Sequence, residues 1–105
     1  MPGVDLNYFI RQANKLTEKI EARKKALADE TVEGQAGDGR VTVVATCAPS
    51  VKTIKIDKAL VDPNDLSMLE DLVAAAVNAA LAKADQHAKE ELSKVSGGVR
   101  IPGIT

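Results

Sequence analysis

The chain predicts an α+β fold: a helix, a three-stranded antiparallel β-sheet and a long helix, in the order α-β-β-β-α. Three observations lead there. Apolar residues recur at threes and fours from about Asp5 to Ala28. The period falls to two, with β-branched residues, between Thr31 and Asp57. A long alanine-studded amphipathic stretch then fills Met68 to Val99. At 105 residues, 45% of them hydrophobic, the chain makes one domain spanning 1–105 and is too short for two comfortable ones.

In the first segment Leu6, Phe9, Ala13, Leu16, Ile20 and Leu27 lie close to a heptad seam, interrupted where Arg23 falls. Arg11, Lys15, Lys19 and Lys25 sit on the side away from that seam, and Arg23 at its edge. The cations of this helix therefore face solvent or a ligand.

Thr31 to Gln35 is the weakest strand. Ala36-Gly37-Asp38-Gly39 reads as a hairpin turn, Val41 to Cys47 as the second strand, Ala48-Pro49-Ser50 as another turn and Val51 to Asp57 as the third strand. By simple alternation Lys52, Ile54 and Ile56 share one face of the third strand and Val51, Thr53 and Lys55 the other, so neither face is purely apolar.

Asp62-Pro63-Asn64-Asp65 reads as the start of the last helix, with Asp62 as N-cap, Pro63 at the first helical position and acidic groups against the positive end of the dipole. The helix runs to about Ser96, where Gly97-Gly98 stops it. Pro102-Gly103 makes 97–105 an irregular tail. Leu69, Leu72, Val73, Ala76, Ala80 and Ala84 lie along one stripe. Thirty helical residues run roughly 45 Å, against a radius of gyration of about 13 Å for a compact domain of this size. This length predicts that a second copy covers the small-residue stripe, in a homodimer whose sheet forms or extends across the two-fold axis.

The composition excludes several functions. Cys47 is the single cysteine, which precludes an internal disulfide and fits a reducing, cytoplasmic setting. With one histidine, His87, there is no pair for the usual zinc site. No apolar run approaches the roughly 20 residues that span a bilayer, so no membrane association is expected. Nor is an enzyme. Cys47 ends an apolar strand and reads as a small buried hydrophobe, and His87 lies in the polar stretch Asp85-Gln86-His87 and reads as an exposed helix residue. The pairs Glu70-Asp71 and Glu90-Glu91 are adjacent rather than one turn apart. Gly37-Asp38-Gly39 lacks the lysine and following helix of a phosphate loop. No small-molecule substrate is implied.

Net charge is -1 and pI about 5.8, which gives no global reason to bind a polyanion. One local feature does. Arg11, Lys15, Lys19 and Arg23 recur every four residues as a slowly winding row that can follow phosphates, with Lys24 and Lys25 beside it and Lys52 and Lys55 as weaker candidates on the third strand. Charge spacing alone equally describes a solvated helix face, the commoner use of such a pattern, and Glu18 and Glu21 intrude. Two copies neutralising about six to eight phosphates would give a log-log salt slope on the order of -5 to -7. With only Tyr8 and Phe9 as aromatics, a stacking platform for single strands is not expected, so double-stranded DNA is the preferred ligand.

The element order and the segment MLEDLVAAAVNAALAKADQHAKEELSKVSGGV resemble the YbaB/EbfC family of bacterial nucleoid-associated proteins. The likeness is sharpest from Met68 to Asn78 and at Val95-Ser96-Gly97-Gly98. Arg11-Gln12-Ala13 with Glu18-Lys19, the Gly-rich hairpin, and Ile56-Asp57 followed by Leu60 add to it. The resemblance implies a small, cytoplasmic, nucleoid-located, tweezer-like homodimer that binds DNA and influences nucleoid organisation or transcription, with no enzymatic activity and no cofactor. The chain departs from the family pattern in Met1 to Leu6, which lacks the glycine-rich opening, and in the short tail Arg100 to Thr105. The alternative class is a protein-binding or chaperone-like scaffold with no direct DNA role, since two helices flanking a β region also describe prefoldin-type subunits.

Overall fold

The computed structural model describes residues 5–97. Helix α1 (Leu6–Leu27) is followed by strands β1 (Thr31–Ala36), β2 (Val41–Thr46) and β3 (Ser50–Ile56), a single 3-10 turn at Lys58–Leu60, and helix α2 (Leu66–Val95). The strands form one antiparallel sheet in the order β1-β2-β3. The order of elements and the sheet agree with the sequence reading. The tail from 98 to 105 lies outside the described residues.

Local chemistry sets the boundaries. Asp5 caps α1, its carboxylate accepting from the Asn7 and Tyr8 amides. The β1–β2 connection takes three consecutive left-handed residues, Gly37, Asp38 and Gly39, which explains a Gly-Asp-Gly sequence at this point. Gly97, also at positive φ, follows the last turn of α2 as a glycine stop. The start of α2 differs from the sequence reading. Asp62 accepts from the Asn64 amide and closes a tight turn, and Asp65 is the N-cap, accepting from Met68. Either aspartate could cap a helix. Before the second does so, the 3-10 turn that Asp57 caps places Leu60, 6% exposed, against the sheet, and the Asp62 turn follows it.

The sheet and the first half of α2 form the main core: Val41, Val43 and Ala45 of β2 against Ala76 and Ala80 of α2, with Leu60. This arrangement corrects the assembly argument drawn from the sequence. Ala76, Ala80 and Ala84 are at most 1% exposed within a single chain, so the alanine stripe is used by the chain's own fold rather than by a partner. Gly34 explains how. A Cβ built there would lie 2.3 Å from the Ala80 nitrogen and 2.7 Å from the Ala76 carbonyl oxygen, so only glycine lets the helix backbone come down onto β1.

The shape is elongated, with extents of 76 × 19 × 16 Å and a radius of gyration of 20.1 Å. Beyond the sheet, α2 runs along the second half of α1. There Ile20, Leu27 and Leu92 form a second small core with Leu16, Ala88, Val95 and Cys47 around it. The first half of α1 extends past this stem as an arm. Leu6 and Phe9, assigned to the seam, are 69% and 56% exposed.

Candidate nucleic-acid interface

The basic row is built by one uninterrupted helix. Residues four apart turn by about 40° from one to the next, so Arg11, Lys15 and Lys19 wind gently along α1 while the seam of Leu16, Ile20 and Leu27 stays on α2. Arg11, Lys15 and Lys19 are exposed, and none takes part in an ion pair or side-chain hydrogen bond among the described residues. Their positive charge is thus unspent. Lys25 is likewise exposed and without a partner there, whereas Lys24 lies 3.7 Å from Glu21 one turn back. Both lysines are in the last turn of α1, where cations suit the negative end of the helix dipole.

Arg23 is the member of the row that the fold uses itself. Its guanidinium pairs with Glu30, between α1 and β1, and with Glu91 of α2 at 2.6 Å. Glu30 also meets His87 Nε2 at 2.9 Å, and Glu91 accepts from Lys94 at 2.7 Å. One half-buried network therefore fixes α1, the following turn and α2 to one another at the base of the arm. The Arg23 guanidinium, then His87, hold the Glu30 carboxyl below the usual carboxylate range. Lys94, then Arg23, bring Glu91 from an ordinary 4.5 to about 2. His87 is half-buried in this network rather than an exposed helix residue. The interruption of the seam at Arg23 was the signal for it: a cation at a seam position faces the other helix and needs carboxylates there.

Cys47 is half-buried beside the stem core, and burial, followed by the charge of Glu30, pushes its thiol up. A protonated, packed thiol fits the reading of a small hydrophobe. Among the described residues no three His, Cys, Asp or Glu side chains are placed to hold a metal ion, and no helix is long and apolar enough to cross a membrane.

The sheet presents two further surfaces. A register shift at Val44/Ala45 inserts one extra residue into β3, so that Val51 pairs with Ala45 while Thr53 pairs with Val44. The bulge overturns the simple alternation. Val51, Ile54 and Ile56, opposite the buried Ala45, Val43 and Val41, now share the apolar side. Lys52, Thr53 and Lys55 line a groove of about 280 Å³ on the sheet face away from α2, with Thr31, Glu33, Thr42 and Val44. Every residue of β3 is exposed, because α2 lies mainly over β1 and β2.

Comparison with known proteins converges on one family. The profile of the YbaB/EbfC DNA-binding family matches residues 1–99. A nucleoid-associated protein of Myxococcus xanthus is 71% identical over 105 residues, covering all of both chains. Another from Acetivibrio thermocellus is 46% identical over 97% of this chain and 91% of its own length. In three dimensions, an uncharacterized protein from Helicobacter pylori superposes with a TM-score of 0.74 at 15% identity, over 90% of this chain and 99% of the other, which is a likeness of fold.

Proposed function

The chain belongs to the YbaB/EbfC DNA-binding family, and we propose that it is a non-catalytic, nucleoid-associated homodimer that grips the backbone of double-stranded DNA with the protruding halves of its α1 helices. The observation that carries this reading is the projecting arm itself, on which Arg11, Lys15 and Lys19 are exposed and unpaired among the described residues. Their contacts would be to phosphates, with Lys25 supporting them and Lys24 secondary because Glu21 shares its charge. Arg23 acts in this scheme as a positioning residue: its two carboxylates set how the arm leaves the stem.

Dimerisation follows from β3 in this reading. Among the described residues it is an edge strand, one side of its backbone without a strand neighbour, and it carries three apolar side chains, Val51, Ile54 and Ile56, each 39–45% exposed. Pairing with the same strand of a second copy would extend the sheet across a two-fold axis, cover those residues and bring two arms into a tweezer-like molecule. Lys52 and Lys55 would then lie on the sheet face away from α2 as minor contacts.

An anisotropy titration of a mixed-sequence duplex at several salt concentrations, beside a sedimentation measurement of mass, tests both halves. Binding that falls steeply with salt by a particle of twice the chain mass is the expected result. A well-folded monomer, or binding indifferent to salt, contradicts it. A protein-binding scaffold is the second reading, favoured by the bare apolar residues Leu6, Phe9 and Ile10 on the arm. Suppression of aggregation of an unfolded client without salt-sensitive DNA binding would support it instead.

A further inference from the structure

Tyr8 is a residue of the arm that neither the core nor the charge pattern explains. The apolar seam of α1 runs through Phe9, Ala13, Leu16 and Ile20, of which Leu16 and Ile20 reach the stem core, and Tyr8 is not on it. It stands three residues before Arg11, seven before Lys15 and eleven before Lys19. At about 100° per residue this places it within the arc that those three cations sweep. The side chain is 51% exposed. Its ring packs edge-on with Phe9, centroids 5.8 Å apart and planes at 75°, which ties the phenol to the helix surface. Its hydroxyl makes no hydrogen bond among the described residues.

We infer that Tyr8 is a fourth, uncharged contact of the basic row, its phenol hydroxyl donating a hydrogen bond to a backbone phosphate oxygen of the duplex that Arg11, Lys15 and Lys19 hold. The inference rests on the proposal that this face of α1 binds DNA. The charge of the neighbouring cations selects the ligand, since a polyanion held along the row passes over Tyr8 as well. A phenol there adds a donor whose interaction carries no net charge. An ionic contact releases a counterion and weakens as salt rises, whereas a neutral hydrogen bond leaves the salt slope as it was. A tyrosine also holds its donor on few rotatable bonds, so little freedom is lost on contact.

The experiment compares wild type, Tyr8→Phe and Lys15→Gln in titrations of one mixed-sequence duplex at four or more salt concentrations. Circular dichroism and sedimentation check fold and mass. Tyr8→Phe keeps the ring and its packing on Phe9 and removes only the hydroxyl. The expected result is binding about threefold to tenfold weaker at every salt concentration, with the log-log slope unchanged. Lys15→Gln should instead flatten the slope. If Tyr8→Phe binds like wild type while Lys15→Gln flattens the slope, the hydroxyl contact is overturned and the basic-face reading stands. If neither substitution changes binding, both fail. A Tyr8→Phe protein of altered mass overturns the inference too, because the hydroxyl would then belong to an assembly contact.

Discussion

The body of the molecule and the arm that leaves it are built from the same kind of sequence and end in opposite states. In the body, the alanine stripe of α2 is closed against β1 and β2 until Ala76 and Ala80 retain no exposed surface. Along α1, a similar seam is covered only as far as α2 accompanies it. Ile20 and Leu27 are 5% and 2% exposed, whereas Leu6 and Phe9, on the same helix, are more than half exposed. Amphipathic spacing therefore says which side of a helix can be buried, and the length of the neighbouring element decides how much of it is. The cations divide in the same way. Arg23, beside the stem, is spent on Glu30 and Glu91, while Arg11 and Lys15, further out, remain free among the described residues.

This gradient should be measurable as stability. Gly34→Val strikes the body hardest, because its side chain would meet the backbone of Ala76 and Ala80, which cannot move without lifting α2 from the sheet. A loss of about 4 kcal/mol or more is expected in denaturant unfolding. Leu27→Ala, in the stem core, should lose about 2–5 kcal/mol.

Arg23→Gln should lower the melting temperature by less than Leu27→Ala, since the network is partly solvated, and should change how stability depends on acid. Glu30 and Glu91 have folded-state pKa values below their unfolded ones. Their stabilisation is thus fully present above about pH 4.5 and is lost as the pH falls toward 2, through the folded value of Glu91. Wild type should lose stability across that window more steeply than Arg23→Gln, and equal slopes would mean that the network does not hold the stem. Phe9→Ala, at the tip, should change stability by no more than about 0.5 kcal/mol. A loss approaching that of Leu27→Ala would show that something covers the tip in solution.

Much of this organisation was legible in the residues. The switch of period from three-and-four to two and back placed both helices and the strands, and the glycines marked the hairpin and the end of α2. Three features were not. The helix starts at Asp65 rather than Asp62, two aspartates that offer the same local chemistry in the sequence, because Asp62 is taken up in a turn on the Asn64 amide. The β3 bulge shows in the residues only as the spacing of Val51, Ile54 and Ile56 by three and then two, and the pairing with β2 is what turns that spacing into one apolar side. The alanine stripe reads in the sequence as a face for a partner, although Gly34, lone and interior to a strand, marks the place where another backbone comes close. Of the proposed site, the spacing of Arg11, Lys15 and Lys19 was plain. The engagement of Arg23 joins residues as far as 68 positions apart, and only the fold brings them together.

The most direct test compares the salt slope of duplex binding for wild type and for the Arg11→Gln/Lys15→Gln/Lys19→Gln protein at matched fold and mass. Loss of three cations per chain should weaken binding to every sequence and reduce the slope by roughly 5 in a dimer. A triple variant with the wild-type slope and affinity would remove the arm from the DNA interface.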